Sequence, residues 1–290
     1  MMIGELAAVS AALCWAISPI LYKKALIKVD PLEAGLVRII SAAAFLFLFV
    51  ARDLNSFLQI DIWNLALITI GVILMVAVGD ILYLYGLSKV SVSLGTPLSS
   101  SYPLYAVAFA YLLMNEPVRL EVALGAAAVV AGTWLLSAGK GRSREPGESS
   151  WRGILALLSA APSWGLSFVI FKAVVSSSNL IQVSALRMLV ASPVLLAMVV
   201  ASGKGRHLKS LGRREVAMLS VAGVLDHGVG GILILLSLAL TEASKVALLS
   251  SIYPLFTVVL ALALLKEKAT SRLLTGTGLV VLGVCLVSLS

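Results

Sequence analysis

Ten apolar runs, each about long enough to cross a lipid bilayer, constrain this chain more than any other feature. A spanning helix needs about 20 mainly apolar residues. Runs of that kind occupy approximately 3–22, 32–51, 63–86, 93–114, 119–138, 152–174, 180–201, 214–238, 245–265 and 271–289. The connections between them are too short for a soluble domain. Only 12% of the residues are charged, against about 25% in an average soluble domain. Mean hydropathy is +1.05, and a water-soluble fold of 290 residues has too much surface to hide that apolar content. The expectation is an all-α membrane protein with ten transmembrane helices in a cell membrane (plasma or inner).

The net charge of +8 does not point to nucleic acid, because the basic residues sit in short connections between apolar runs. The odd-numbered connections hold Lys23, Lys24, Lys28, Lys89, Lys140, Arg142, Arg144, Arg152, Lys204, Arg206, Lys209, Arg213, Arg214, Lys266, Lys268 and Arg272. The even-numbered ones hold only Arg52, Arg119 and Lys245. Positive residues favour the cytoplasmic side, which puts the odd connections inside and both termini outside. Cys14 and Cys285 each lie in an apolar run, so neither a disulfide nor a metal site is signalled. The first run lacks a basic region and a small-residue cleavage site, so no signal peptide is expected. No nucleotide-binding loop is present, and no cofactor is expected.

The most polar connection, Gly139 to Arg152, is rich in Gly, Ser and charge, as a linker should be. It divides the chain into a first repeat (1–138), a linker (139–151) and a second repeat (152–290). Shifting the sequence by 149 places Trp15 on Trp164, Lys23 on Lys172 and Arg38 on Arg187. Shifting by 151 places Tyr102-Pro103 on Tyr253-Pro254, Glu116 on Glu267, Gly125 on Gly276 and Gly132 on Gly283. A single two-residue insertion after Val200 reconciles the two shifts. Each half has five helices, and an odd number makes the second half enter from the opposite side. The reading is two inverted five-helix repeats, an architecture common among alternating-access transporters.

These residues also carry a family pattern. Trp15-Ala16 and Trp164-Gly165 stand in helices 1 and 6, and Arg38 and Arg187 in helices 2 and 7. The runs SVSLGTPLSSSYPLYAVAFAYLLMNEP and EASKVALLSSIYPLFTVVLALALLKEK each combine a Pro-containing helix with a following Glu. The chain resembles the EamA-type branch of the drug/metabolite transporter superfamily over essentially its whole length. The resemblance implies export or exchange of small metabolites, amino acids among them, by a monomer or homodimer. Members of the small multidrug branch carry a membrane-embedded Glu in the first helix. This chain departs from that pattern with Cys14, whose counterpart is Ser163, and Glu5 stands too near the helix end to substitute. The departure speaks against proton-coupled export of cationic drugs.

Ionisable groups inside a bilayer are costly unless paired or hydrated. Arg38 lies about six residues into its helix, roughly 9 Å deep at 1.5 Å per residue, and Arg187 is its counterpart from the other side. Two readings stand: paired gates or carboxylate anchors, or side chains that snorkel to the nearest interface. Lys172 joins them as a charge-pair candidate. Asp80 lies at a depth like that of Arg38 and is expected to pair with it, offsetting the cost of burying either charge. Asp226 and His227 sit mid-helix without ionisable counterparts. Histidine titrates near physiological pH, which makes the pair a proton-coupling candidate, with a hydrogen-bonded structural pair as the alternative. Proline kinks the helices at Tyr102-Pro103 and Tyr253-Pro254. Trp15, Tyr83, Ser100, Tyr102, Trp164, Ser251 and Tyr253 are expected to bind substrate or line a cavity, with ordinary packing as the alternative. The glycines at 125, 132, 276 and 283, seven apart in each half, mark helix packing.

A secondary transporter of a small molecule is the function these features fit. An integral-membrane enzyme needs a cluster of catalytic residues or metal ligands, and two isolated histidines do not supply one. A channel-like pore needs a selectivity filter, and no such loop is visible.

Overall fold

The computed structural model describes residues 2–51, 60–90, 95, 98–99, 101–138, 151–205, 208, 211–253, 255–257, 260 and 271–288. Its elements are α1 (Met2–Ala25), α2 (Pro31–Val50), α3 (Ile62–Lys89), α4 (Tyr102–Met114), α5 (Leu120–Ala138), α6 (Trp151–Val175), α7 (Leu180–Ala201), α8 (Arg213–Leu240), α9 (Ala243–Ser250) and α10 (Ser271–Ser288). No strand occurs among the described residues. Six of these helices are long and apolar enough to cross a membrane: α1, α2, α3, α6, α7 and α8. Parts of the fourth and ninth expected spans lie outside the described residues.

The helix starts follow from local chemistry. Asp30 caps α2 by accepting from Leu32 N, Glu33 reaches back to the Asp30 amide, and Pro31 occupies the first turn. This reciprocal box satisfies donors the helix leaves open. Asp61 caps α3 and Asn179 caps α7 with the side chain alone, each accepting from two first-turn amides. Asn179 stands 149 residues beyond Asp30. The outer faces are apolar, with Leu48 73% and Ile62 81% exposed. A water-soluble monomer rarely shows such contiguous surface, and a bilayer covers it. The protein is a multi-pass membrane protein.

Contacts recur at the two offsets read from the sequence. Lys23 Nζ donates to Leu87 O and Val90 O, both at 2.9 Å. Lys172 Nζ donates to Leu238 O at 2.7 Å and Thr241 O at 2.9 Å. A Cβ at Gly132 would meet Gly276 O at 2.7 Å, and one at Gly283 would meet Gly125 O at 2.7 Å. Glycine is what lets α5 and α10 approach backbone to backbone. α3 and α8 each carry a central stretch of wider π-helical turns, Ile73–Asp80 and Val224–Val229. Such bulges inside helices are frequent at functional sites.

The connections sort to two ends. Lys204 Nζ pairs with Asp30 at 2.6 Å and Lys28 with Glu215 at 3.2 Å, joining the turns after α1 and α7. At the other end Asn64 Nδ2 donates to Ser177 and Ser178 at 3.2 Å. There also Glu116 accepts from Ala243 N at 2.9 Å and Ser244 N at 3.1 Å, capping α9. Its counterpart Glu267 lies outside the described residues.

Candidate functional site

The central stretches of α3 and α8 face each other across a cavity of about 80 Å³. α1, α2, α4, α6 and α7 also line it. The wider turns matter because they set Asp80 at the end of one stretch and Asp226 and His227 inside the other.

Arg38 enters from α2 with its side chain 2% exposed. Its Nη2 lies 2.7 Å from Asp226 Oδ2 and 3.4 Å from Asp80 Oδ2. His227 Nε2 stands 3.0 Å from the same Nη2 and 2.8 Å from Asp80 Oδ2. Tyr22 completes the group: its hydroxyl donates to Asp226 Oδ2, and its ring lies 4.2 Å from the guanidinium carbon. Two carboxylates, one arginine, one histidine and one phenol therefore share a single desolvated cluster. The position of His227 has a chemical consequence. With Nε2 unprotonated, the nitrogen accepts from Arg38; with Nε2 protonated, it donates to Asp80. One proton decides which neighbour it holds.

Aromatic side chains form the remaining wall. Trp164 Nε1 donates to Asp80 Oδ1 at 3.0 Å and to Met75 O at 3.2 Å. Trp15 Nε1 donates to Asp226 O at 3.1 Å. Tyr83 packs on Trp164 with centroids 5.2 Å apart. The Tyr102 hydroxyl lies 2.8 Å from Ser250 Oγ, and the Tyr253 hydroxyl 3.2 Å from Ser99 Oγ. Each tyrosine thus bonds a serine of the opposite half.

Of the residues singled out from sequence, Trp15, Arg38, Asp80, Tyr83, Tyr102, Trp164, Arg187, Asp226, His227 and Tyr253 line this one cavity. Three do not. Lys172 ties down the last carbonyls of α8, away from the cavity, because its ammonium satisfies acceptors the helix end leaves open. Ser251 is buried and donates to Leu248 O at 2.7 Å. Ser100 lies outside the described residues. Tyr22, Met75 and Phe168 also line the cavity and were not anticipated. Tyr22 was within reach of sequence reasoning, since it stands seven residues, two helical turns, beyond Trp15 on the same face. Among the described residues no group of three or more His, Cys, Asp or Glu is placed to hold a metal ion.

The chain is similar to known proteins along its length. A curated protein of Archaeoglobus fulgidus described as an uncharacterized transporter is 25% identical over 288 residues, covering 99% of each chain. A solved crystal structure superposes with a TM-score of 0.78 at 17% identity, covering 99% of this chain and 96% of the other. That likeness establishes the fold. The EamA-like transporter family matches residues 2–138 and 151–289. The chain therefore belongs to the EamA-like transporter family, within the drug/metabolite transporter superfamily.

Proposed function

We propose that the protein is a secondary transporter of small metabolites such as amino acids, working by alternating access around the central cavity. The observation that carries this reading is the buried charge cluster, contributed by both halves and facing the cavity. Charges are kept in a membrane interior where they line a path or a binding site. Ten helices in two inverted repeats, 1–138 and 152–290, supply the frame, and the paired Lys, Trp and Gly contacts at two constant offsets support it. The odd connections face the cytoplasm of the plasma or inner membrane by their excess of Lys and Arg.

Arg38 bridges Asp80 on α3 and Asp226 on α8, so rocking one half against the other breaks at least one of those contacts. His227 gives the cluster a place to take up a proton as the contacts change. Purified protein in liposomes tests the reading. Saturable uptake with counterflow of a labelled amino acid or related metabolite is the expected result. Product formation without flux would instead identify a membrane enzyme, and non-saturable flux a pore.

A further inference from the structure

The two buried arginines occupy equivalent places but keep different company. Arg38 lies 4.2 Å from the Tyr22 ring, and Arg187 lies 4.3 Å from the Phe171 ring. Both pairs are related by the 149-residue offset. Where Arg38 meets Asp226 at 2.7 Å, Arg187 meets Met75 Sδ at 3.1 Å, and residues 75 and 226 are related by the offset of 151. The same offset relates His227 to Val76 and Asp80 to Gly231. Among the described residues outside its own helical turn, nothing lies within 4 Å of the position a Cβ on Gly231 would take, and Gly231 lines the cavity. The phenol, both carboxylates and the imidazole around Arg38 thus have Phe171, Met75, Gly231 and Val76 as counterparts. The arginine is common to both halves, and its anionic partners stand in one only.

Arg187 is 2% exposed. Among the described residues no carboxylate lies within ion-pair distance of it, and its Nε has no hydrogen-bond partner. Thioether sulfur is a weak acceptor. A buried charge without a partner is strongly unfavourable, and a ligand that brings the missing anion removes the penalty.

We propose that Arg187 is the receptor for a carboxylate of the transported solute, which occupies the open space over Gly231 that the Asp80 side chain fills on the opposite side. Trp15 Nε1, which donates to Asp226 O, shares its N–H with the carboxylate as its counterpart Trp164 shares its own between Met75 O and Asp80. Trp15 Nε1 lies against Gly230, next to the open position. Phe168 and Ile234 border the same cavity and offer an apolar wall. The solute class is a small monocarboxylate with an apolar remainder. Arg38 also has Nε and Nη1 without a hydrogen-bond partner, but Asp80 and Asp226 already supply its counter-charge at Nη2, which Arg187 lacks. The word solute rests on the transport reading above; the anion site does not.

Two measurements on the purified full chain test this. Gly231→Asp gives Arg187 an internal carboxylate, and Gly231→Asn adds the same bulk without the charge. Without added solute, the Asp variant is expected to melt higher than the Asn variant, and this advantage disappears when Arg187→Gln is added. Equal melting of the two variants, or an advantage that persists with Arg187→Gln, overturns the site. The second measurement is a thermal-shift panel of acetate, propionate, lactate, alanine and phenylalanine, each beside its amide. At least one carboxylate is expected to stabilise the unmodified protein where its amide does not. Arg187→Gln weakens that ligand at least tenfold, whereas Lys172→Met, outside the cavity, leaves it unchanged. No response to any carboxylate, or equal responses to acid and amide, overturns the proposal. Neutral-solute flux that survives Arg187→Gln would sink the anion site and leave transport standing. Carboxylate binding without flux would do the reverse.

Discussion

Replacing Arg38 by Gln should cost far more stability than replacing Arg187 by Gln, although the two arginines are equally buried and equivalent in sequence. Arg38 faces Asp226 at 2.7 Å and Asp80 at 3.4 Å. Two unit charges about 4 Å apart attract by about 4 kcal/mol at an effective dielectric of 20. Desolvation offsets much of that attraction while the pair is intact. Removing one partner exposes the full cost of the other, typically about 3–5 kcal/mol. The Asp226 side chain is 18% exposed, so water recovers part of the loss, and an expected cost of about 3 kcal/mol follows from the lower end of that range. Arg187→Gln removes a charge that has no carboxylate partner. Lost packing of its aliphatic stem is set against a relieved charge, so its expected effect lies within about 1 kcal/mol of zero. Unfolding in mixed micelles with increasing SDS, followed by circular dichroism at neutral pH, reads both values. Equal costs for the two substitutions, or a cost below about 1 kcal/mol for Arg38→Gln, would refute this account of the cluster. Combining Arg38→Gln with Asp226→Asn should cost less than the sum of the two, because the second change removes a charge the first left unpaired.

Gly132→Ala or Gly283→Ala forces a Cβ to within 2.7 Å of a backbone oxygen. Either should destabilise the α5–α10 contact by about 1–3 kcal/mol in the same SDS unfolding, with solute affinity unchanged. Lys172→Met strips a charged donor from Leu238 O and Thr241 O, which should cost about 1.5–3 kcal/mol while leaving carboxylate binding intact. Loss of binding in that variant would return Lys172 to the solute path. Trp164→Phe keeps an aromatic ring, though a smaller one, and removes the hydrogen bond to Asp80. The same SDS unfolding should show a cost of about 1.5–3 kcal/mol, and no cost would exclude that hydrogen bond as a support for Asp80.

The apolar runs and the two offsets were legible without coordinates, because span length and residue spacing are properties of one chain read in order. A hydrocarbon solvent leaves a helical segment few alternatives, so 20 apolar residues already imply most of the backbone. The offsets paired Arg38 with Arg187 and Trp15 with Trp164, and they marked Asp80, Asp226 and His227 as positions where the halves differ. What an offset cannot give is a neighbour. It relates residue 75 to residue 226, but whether either touches an arginine depends on how α2 packs on α8 and α7 on α3. That packing is decided by small residues meeting backbone, as where a Cβ at Gly223 would run into the backbone of Arg38. Only the assembled helices brought Asp226, His227 and Tyr22 onto Arg38, and turned Lys172 into a helix-end clamp. They also left Arg187 without a carboxylate at ion-pair distance among the described residues, a fact of the tertiary structure because a missing partner shows only once the neighbouring helices are in place.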